Sequence, residues 1–174
     1  MKLRMSTLAV PALCVLFTTA GAAVTAGPAA ATALSGGCEG GHVQFMSDTP
    51  IGLEPTQVTA RLDGDLHTCV GTPTEEGGWS TDFVGEASCL GVNGKLDATF
   101  NWANGEVSRL VGPFALNGYG APATNTLQIV EGPGAGGTVV ITTGPIEKAG
   151  GSVTTCIDGP IRNVGMPVTG AQFA

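Results

Sequence analysis

The clearest alternation of hydrophobic and polar positions lies between residues 97 and 111, on both sides of Asn104-Gly105. An Asn-Gly pair between two alternating runs predicts a β-hairpin with a two-residue type I′ turn. In that register the strands bury one common face, and its predicted residues are Ala98, Phe100, Trp102, Val107, Arg109 and Val111. Leu110 would then be the one large apolar residue on the opposite, polar face.

The rest of the chain repeats this β pattern in short runs separated by turn signals. Asp63-Gly64 and Asn93-Gly94 predict two further turns, and residues 138–142 form the run with the highest β-propensity. Gly112-Pro113 argues against a central strand at that point, because proline has no N–H to donate to a sheet. Since no helical period follows Cys38, we predict an all-β fold, an antiparallel β-sandwich or Greek-key barrel of eight or nine short strands.

Residues 1–33 have the features of a helical N-terminal signal peptide. Lys2 and Arg4 precede an apolar run over residues 8–17, and a series of small residues ends at Ala33. The apolar run is too short for a good membrane span. We therefore predict cleavage after Ala33, with Ala26 and Ala31 as alternatives, and a secreted, extracellular protein. Its mature chain would be a single domain, residues 34–174, without a membrane span.

The charge of the chain excludes two classes of partner. Loss of Lys2 and Arg4 would leave five basic residues against fourteen acidic ones, which changes the net charge from −7 to −9. The acidic residues are spread along the chain, as is typical of a solvated surface. A nucleic acid or an anionic lipid surface would be repelled and would find no basic patch. We therefore expect neither as a partner.

Four cysteines would remain after Cys14 leaves with the signal peptide, and they are Cys38, Cys69, Cys89 and Cys156. An even number in an exported protein, with no Cys-x-x-Cys spacing, predicts two disulfides and not a metal site. Three connectivities are possible. We favour Cys38–Cys69, which flank one predicted strand pair, and Cys89–Cys156, which would tie the central region to the C-terminal strands.

No residues have the spacing of a catalytic, metal or cofactor site. His42 and His67 are too far apart in the sequence to match the spacing of metal ligands in a known motif. Asp63-Gly64-Asp65 lacks the later carboxylate of a calcium-binding loop. Gly-x-Ser-x-Gly is absent, and Glu75-Glu76 are adjacent in a loop, where a glycosidase needs two opposed carboxylates. The glycines within 132–137 do not form a nucleotide-binding loop, because no Lys-Ser or Lys-Thr follows them. We therefore predict a protein that is not an enzyme, with no catalytic residue, bound metal or cofactor.

Aromatic residues give the one functional hypothesis with chemical content. Trp79 and Tyr119 are candidates for stacking on a ligand such as a sugar, whereas Trp102 belongs to the predicted buried face. We predict a non-enzymatic module that binds an extracellular protein or glycan or acts at the cell surface. The alternative is a small extracellular enzyme inhibitor or hydrolase that acts through an exposed loop, and residues 70–78 beside Cys69 are the loop it would use.

The mature chain resembles small secreted β-sandwich proteins of actinobacteria, most of which have no assigned function. The resemblance lies in the Cys- and Gly-rich start, the next cysteine at position 69, and the turn Trp102-Ala103-Asn104-Gly105-Glu106-Val107-Ser108. It extends over most of the mature chain. It implies export and a β-sandwich, and it brings no catalytic residues.

Overall fold

The computed structural model of the protein describes residues 33–118, 121–146, 159 and 161–174. These residues form no helix and eight strands: β1 (Gly36–Ile51), β2 (Thr56–Val70), β3 (Glu76–Ser88), β4 (Gly91–Trp102), β5 (Val107–Asn117), β6 (Ala123–Glu131), β7 (Thr138–Thr143) and β8 (Ile161–Phe173). Antiparallel pairing joins each strand to the next, and β8 pairs with β1 to close a barrel. The predicted all-β class is confirmed.

The order and length of the strands differ from the prediction. Every strand pairing in the described ranges joins strands consecutive in sequence or closes the ring between β1 and β8, so these strands form an up-and-down barrel and not a Greek key. The strands are also long, with 16 residues in β1. Asp63-Gly64 lies inside β2 and Asn93-Gly94 inside β4, so both predicted turns were wrong.

These two glycines serve the packing of large aromatic rings. A β-carbon at Gly64 would overlap the indole ring of Trp79, and a β-carbon at Gly94 would overlap the ring of Phe83. A glycine within a strand often marks such a close approach, because the missing side chain leaves space for a neighbouring ring. The strands therefore continue through positions whose sequence resembles a turn.

Side chains fill the interior of the barrel. Two series of aromatic contacts cross it, with ring centroids 4.6 to 5.9 Å apart: Phe45, Phe83 and Phe114 in the first, and Trp79, Phe100, Trp102 and Phe173 in the second. Eight strands enclose a space just wide enough for side chains of this kind. The core is therefore the inside of the barrel, and the outer wall carries the polar residues.

The hairpin of β4 and β5 forms where it was predicted, but its register is shifted by one residue. Ala98 pairs with Leu110, and Phe100 pairs with Ser108. Leu110 and Ser108 are therefore buried, and the residues that alternate with them, including Val107, face outward. The apparent misfit of Leu110 in the predicted register disappears, because a shift of one residue exchanges the two faces of a strand.

The shift arises in the turn, which has three residues and not the predicted two. The N–H of Trp102 donates to the carbonyl of Glu106 at 2.9 Å, and the N–H of Gly105 donates to the carbonyl of Trp102 at 2.9 Å. Gly105 has a φ of +86°, while Asn104 does not have a positive φ. This is a type I turn followed by a left-handed glycine, a common three-residue hairpin loop, in place of the type I′ turn.

Arg109 lies on the outer wall, which corrects its predicted place on the buried face. Its guanidinium donates to both carboxylate oxygens of Asp97 at 2.8 and 2.7 Å and to Glu131 at 3.1 Å. These ion pairs link β4, β5 and β6 across the outside of the barrel.

Trp102 is buried, as predicted, and ties the hairpin to the loop between β6 and β7. Its indole N–H donates to the hydroxyl oxygen of Ser108 at 3.0 Å, and that hydroxyl donates to the carbonyl of Pro133 at 2.8 Å. The polar groups of this buried pair are therefore satisfied without water.

β5 continues through Gly112-Pro113, where the sequence argued against a central strand. The register of β5 with β6 covers Arg109 to Val111. Beyond it, the side-chain amide of Asn125 on β6 accepts the N–H of Ala115 at 2.7 Å and donates to its carbonyl at 3.0 Å. Residues two apart in a strand direct their N–H groups to the same edge. The backbone nitrogen of Pro113 therefore faces β6, like that of Ala115. The described β5–β6 register has ended there, so no ladder hydrogen bond is lost at Pro113.

Cys38 and Cys69 form the predicted disulfide between paired positions of β1 and β2. Cys89 is disulfide-bonded as well. Its predicted partner Cys156 lies outside the described residues, as do Tyr119 and the predicted signal peptide up to residue 32. In the part of the chain that the structure describes, no helix is long and apolar enough to cross a membrane.

Candidate functional site on the outer wall

An open groove on the outer wall, near the Cys38–Cys69 disulfide, brings together polar residues from β2, β3 and the hairpin turn. It consists of two adjoining hollows of about 640 and 390 Å³. Both are lined by His67, Glu76 and Ala103, and we call their combined surface the His67 groove. The remaining lining residues are Thr68, Cys69, Val70, Thr74 and Glu75 in the larger hollow and Asp65, Leu66, Gly77, Gly78 and Asn101 in the smaller one.

Strand register places these residues side by side. His67 pairs with Glu76 and Asp65 pairs with Gly78 across β2 and β3, and Gly78 pairs in turn with Asn101 on β4. Asp65 and His67 both point outward, because the residue between them faces the core and side chains alternate along a strand. Gly78 carries no side chain, so the surface is recessed between Asp65 and Asn101. The strand register thus creates a shallow depression that is bordered by polar side chains.

Hydrogen bonds hold the rim of the groove in place. The N–H of Cys69 donates to the carbonyl of Glu75 at 3.0 Å, and the N–H of Ala103 donates to the carbonyl of Glu76 at 3.2 Å. The hydroxyl of Thr74 donates to the same Glu76 carbonyl at 2.6 Å and lies 3.3 Å from the N–H of Ala103. The loop between β2 and β3 is therefore fixed both to the disulfide and to the β4–β5 hairpin.

Thr68, on the wall of the groove, has an unusual backbone conformation. Its φ is +55°, and it is the only non-glycine residue with a positive φ in the described ranges. A β-branched residue in the left-handed region is strained by about 1–3 kcal/mol, and strain of this kind clusters at functional sites. The Thr68 hydroxyl lies 3.2 Å from Nδ1 of His67. The strained residue therefore places a polar group against the imidazole ring.

Negative charge dominates the groove. Asp65, Glu75 and Glu76 line it, whereas none of its described lining residues is Lys or Arg. Arg61 and Arg109 form their ion pairs elsewhere on the wall. A groove lined by carboxylates attracts positively charged ligands and repels anions.

Trp79, a predicted ligand-stacking residue, lies in the core. It is 5% exposed, and its ring packs against Phe100 with centroids 5.8 Å apart. The ring therefore has no free face on the outer surface, which corrects the expectation of an exposed stacking residue. The indole N–H of Trp79 has no hydrogen-bond partner among the described residues. The other predicted stacking residue, Tyr119, is outside the described ranges.

His42 and His67, which have no ligand spacing in the sequence, are neighbours on the outer wall. His42 on β1 pairs with Asp65 on β2, and Gly40 pairs with His67. The two histidines and Asp65 therefore lie on the same face of two adjacent strands. Their separation in sequence conceals this proximity, because it depends on the strand register. The described side chains include no group of three or more His, Cys, Asp or Glu already in position to hold a metal ion.

Comparison with known proteins assigns no family, since no protein-family model, curated protein or solved structure matches the chain. The resemblance to small secreted β-sandwich proteins of actinobacteria stays a prediction. The function must therefore be inferred from the groove and from the barrel that carries it.

Proposed function

We propose that the protein is a secreted, non-enzymatic binding module that holds an extracellular protein partner in the His67 groove. The observation that carries this proposal is an open groove that has three carboxylates and, among its described lining residues, no Lys or Arg, built on a barrel whose interior is filled by aromatic rings. Because side chains occupy the inside, the outer wall is the surface on which we expect binding.

The chemistry of the groove favours a partner that presents Lys or Arg next to a small apolar residue. Asp65, Glu75 and Glu76 supply the negative charge, and Val70, which is 74% exposed at the rim, supplies an apolar contact. Each exposed ion pair contributes only about 0–1 kcal/mol, so the affinity must come from several contacts together. Exposed charges are also screened, and we expect binding to weaken as the salt concentration rises.

Capture of partners from the culture fluid and cell-wall fraction of the producing organism tests this proposal. The immobilised protein is compared with the variant Glu75→Gln/Glu76→Gln. The matched control, Glu54→Gln/Glu86→Gln, removes the same amount of charge at exposed positions outside the groove. We expect a partner protein that binds the parent and the control but not the groove variant. A partner that all three retain equally, or recovery of a glycan alone, would contradict the proposal.

The non-enzymatic part of the proposal needs its own experiment. Ester, peptide and glycoside substrates are offered to the parent and to the folded variant His42→Gln/His67→Gln. We expect no hydrolysis that depends on either histidine. An activity of the parent that the variant has lost would refute the non-enzymatic assignment.

A second candidate function is inhibition of a secreted protease through the loop of residues 71–75. This loop is held by the bond from Cys69 N–H to the Glu75 carbonyl and by a 2.8 Å bond from the Thr72 hydroxyl to the Thr74 carbonyl. A loop that is rigid before binding loses little conformational freedom in the complex. This function would be favoured if the protein inhibits a protease stoichiometrically and the variant Thr72→Ala/Thr74→Ala does not. A captured partner that is not a protease would favour the first function.

A further inference from the structure

We propose that His42, Asp65 and His67 form a binding site for one divalent transition-metal ion, such as Zn²⁺, on the outer wall of the barrel. This proposal does not rest on the protein partner proposed above. Two imidazoles and one carboxylate are a ligand set that suits Zn²⁺, Cu²⁺ and Ni²⁺. The three residues come from paired positions on β1 and β2 and are all directed outward.

The imidazole of His67 lies over β1, above Gly40. Gly40, the residue opposite His67, has no side chain, and a β-carbon built on it would lie 2.5 Å from Cε1 and 3.1 Å from Nε2 of His67. The ring therefore occupies the space that a side chain of Gly40 would take. His42 is two residues farther along the same strand on the same face, so its β-carbon is about 6.6 Å from that position.

This separation is compatible with joint coordination of one ion. Zn–N bonds of about 2.0–2.1 Å in a tetrahedral site place two nitrogens about 3.3 Å apart. If the imidazole of His42 turns toward Gly40, its ring covers the rest of the distance of about 6.6 Å between the His42 β-carbon and the ring of His67. Asp65 is directly opposite His42, where β-carbons of paired residues lie about 5 Å apart, so rotation of its side chain brings the carboxylate within reach of the same point. The donors are not gathered in the described conformation, and binding requires rotation of exposed side chains, which change rotamer readily.

Thr68 positions the ring of His67 for this role. Metal-binding histidines usually donate their second ring N–H to a nearby oxygen, which fixes the tautomer and the orientation of the ring. Nδ1 of His67 is 3.2 Å from the Thr68 hydroxyl oxygen. In the tautomer that carries the proton on Nδ1, the lone pair lies on Nε2, which is then the nitrogen that can bind the metal ion. The strained backbone of Thr68 thereby gains a function, because it holds the hydroxyl against Nδ1.

Calorimetric titration of the secreted protein with Zn²⁺ alone, with disulfides intact and at neutral pH, tests this site. We expect one ion per chain, and a dissociation constant that rises at least about tenfold in His42→Ala and in His67→Ala. Thr68→Ala should also weaken binding by about tenfold, the lower end of the usual effect of losing such a positioning group. The matched control is Asp63→Asn, which removes a carboxylate from the same strand outside the ligand set and should leave the dissociation constant unchanged.

Two results would overturn the proposal. One is the absence of saturable Zn²⁺ binding, and the other is Zn²⁺ binding that the double variant His42→Ala/His67→Ala retains. Both histidines are exposed, so we expect the variants to fold, and far-UV circular dichroism verifies this before each titration.

Discussion

Asn125 and Ala115 are joined by two hydrogen bonds that continue the seam between β5 and β6 beyond its main-chain register. The amide oxygen of Asn125 accepts the Ala115 N–H at 2.7 Å, and its amide nitrogen donates to the Ala115 carbonyl at 3.0 Å. Asn125 is 4% exposed, so water does not readily replace these bonds. The side chain of Asn125 thus supplies to Ala115 the two hydrogen bonds of a neighbouring strand, beyond the point where the β5–β6 register ends.

We predict that Asn125→Leu destabilises the barrel, because it leaves the N–H and the carbonyl of Ala115 without these partners. An unsatisfied buried polar group costs about 1–3 kcal/mol. The free energy of unfolding from urea denaturation should fall by that amount or more. Thr124→Ala, at the exposed neighbouring position, is the control and should change it by no more than about 0.5 kcal/mol. Equal stability of Asn125→Leu and the parent would show that the seam does not need the amide.

We predict that Gly64→Ala is strongly destabilising, since its β-carbon would overlap the ring of Trp79. Overpacking of a filled core costs about 1–3 kcal/mol. Gly52→Ala is the control, because a β-carbon there meets nothing within 4 Å. Trp79→Leu should relieve the overlap, so the double variant should lose less stability than the sum of the two single variants. Additive losses would contradict this packing.

The ion pair of Asp97 and Arg109 predicts a pH effect. The pKa of the Asp97 carboxyl lies below its usual value, chiefly because Arg109 donates hydrogen bonds to it; desolvation opposes this lowering, and the positive charge of Arg109 adds a smaller one. A carboxyl whose pKa is lowered by folding stabilises the fold above its unfolded-state pKa, and this contribution is lost as the pH falls through the folded-state value.

In Arg109→Gln, an NMR titration should show the pKa of Asp97 raised toward its ordinary value of about 4. The acid-induced loss of stability that comes from Asp97 should shrink accordingly. Arg61→Gln, which removes an arginine that pairs with other carboxylates, is the control and should leave the Asp97 titration unchanged. An unaltered Asp97 curve in Arg109→Gln would refute the assigned cause.

We predict that Thr68→Gly stabilises the fold by about 1 kcal/mol. Glycine adopts a positive φ freely, so the relief of strain should exceed the entropy that glycine loses on folding. Thr68→Ala retains a β-carbon at the same φ of +55° and should bring no comparable gain. Thermal or chemical denaturation of both variants makes the comparison, and a Thr68→Gly variant less stable than Thr68→Ala would contradict the strain.

The alternation of apolar residues was sufficient to predict the all-β class, the place of the β4–β5 hairpin and the burial of Trp102. It was not sufficient for the register. Asn104-Gly105 fits both a two-residue and a three-residue loop, and the choice moves Arg109 from one face to the other. Leu110 distinguishes the two loops. It is buried, and only the three-residue loop places it on the inner face of β5.

Two further features depend on contacts that local sequence does not encode. Gly64 and Gly94 follow Asp and Asn, as in turns, and only the aromatic rings from other strands explain why the strands continue through them. His42 and His67 become neighbours through the pairing of β1 with β2. The sequence identified the loop of residues 70–78, part of which lines the groove, but it did not predict the groove as a whole, because a sequence spacing describes one strand and the groove is built across several.

The most direct test of the proposed function is the affinity of the captured partner for two tryptophan variants. Ala103→Trp fills the His67 groove, because Ala103 lines both of its hollows. Thr124→Trp places the same bulk on the exposed face of β6, away from the groove. We predict that the partner binds Thr124→Trp as it binds the parent and that binding to Ala103→Trp is lost. Equal affinity for the two variants, with both folded, would contradict the assignment of the groove as the binding site.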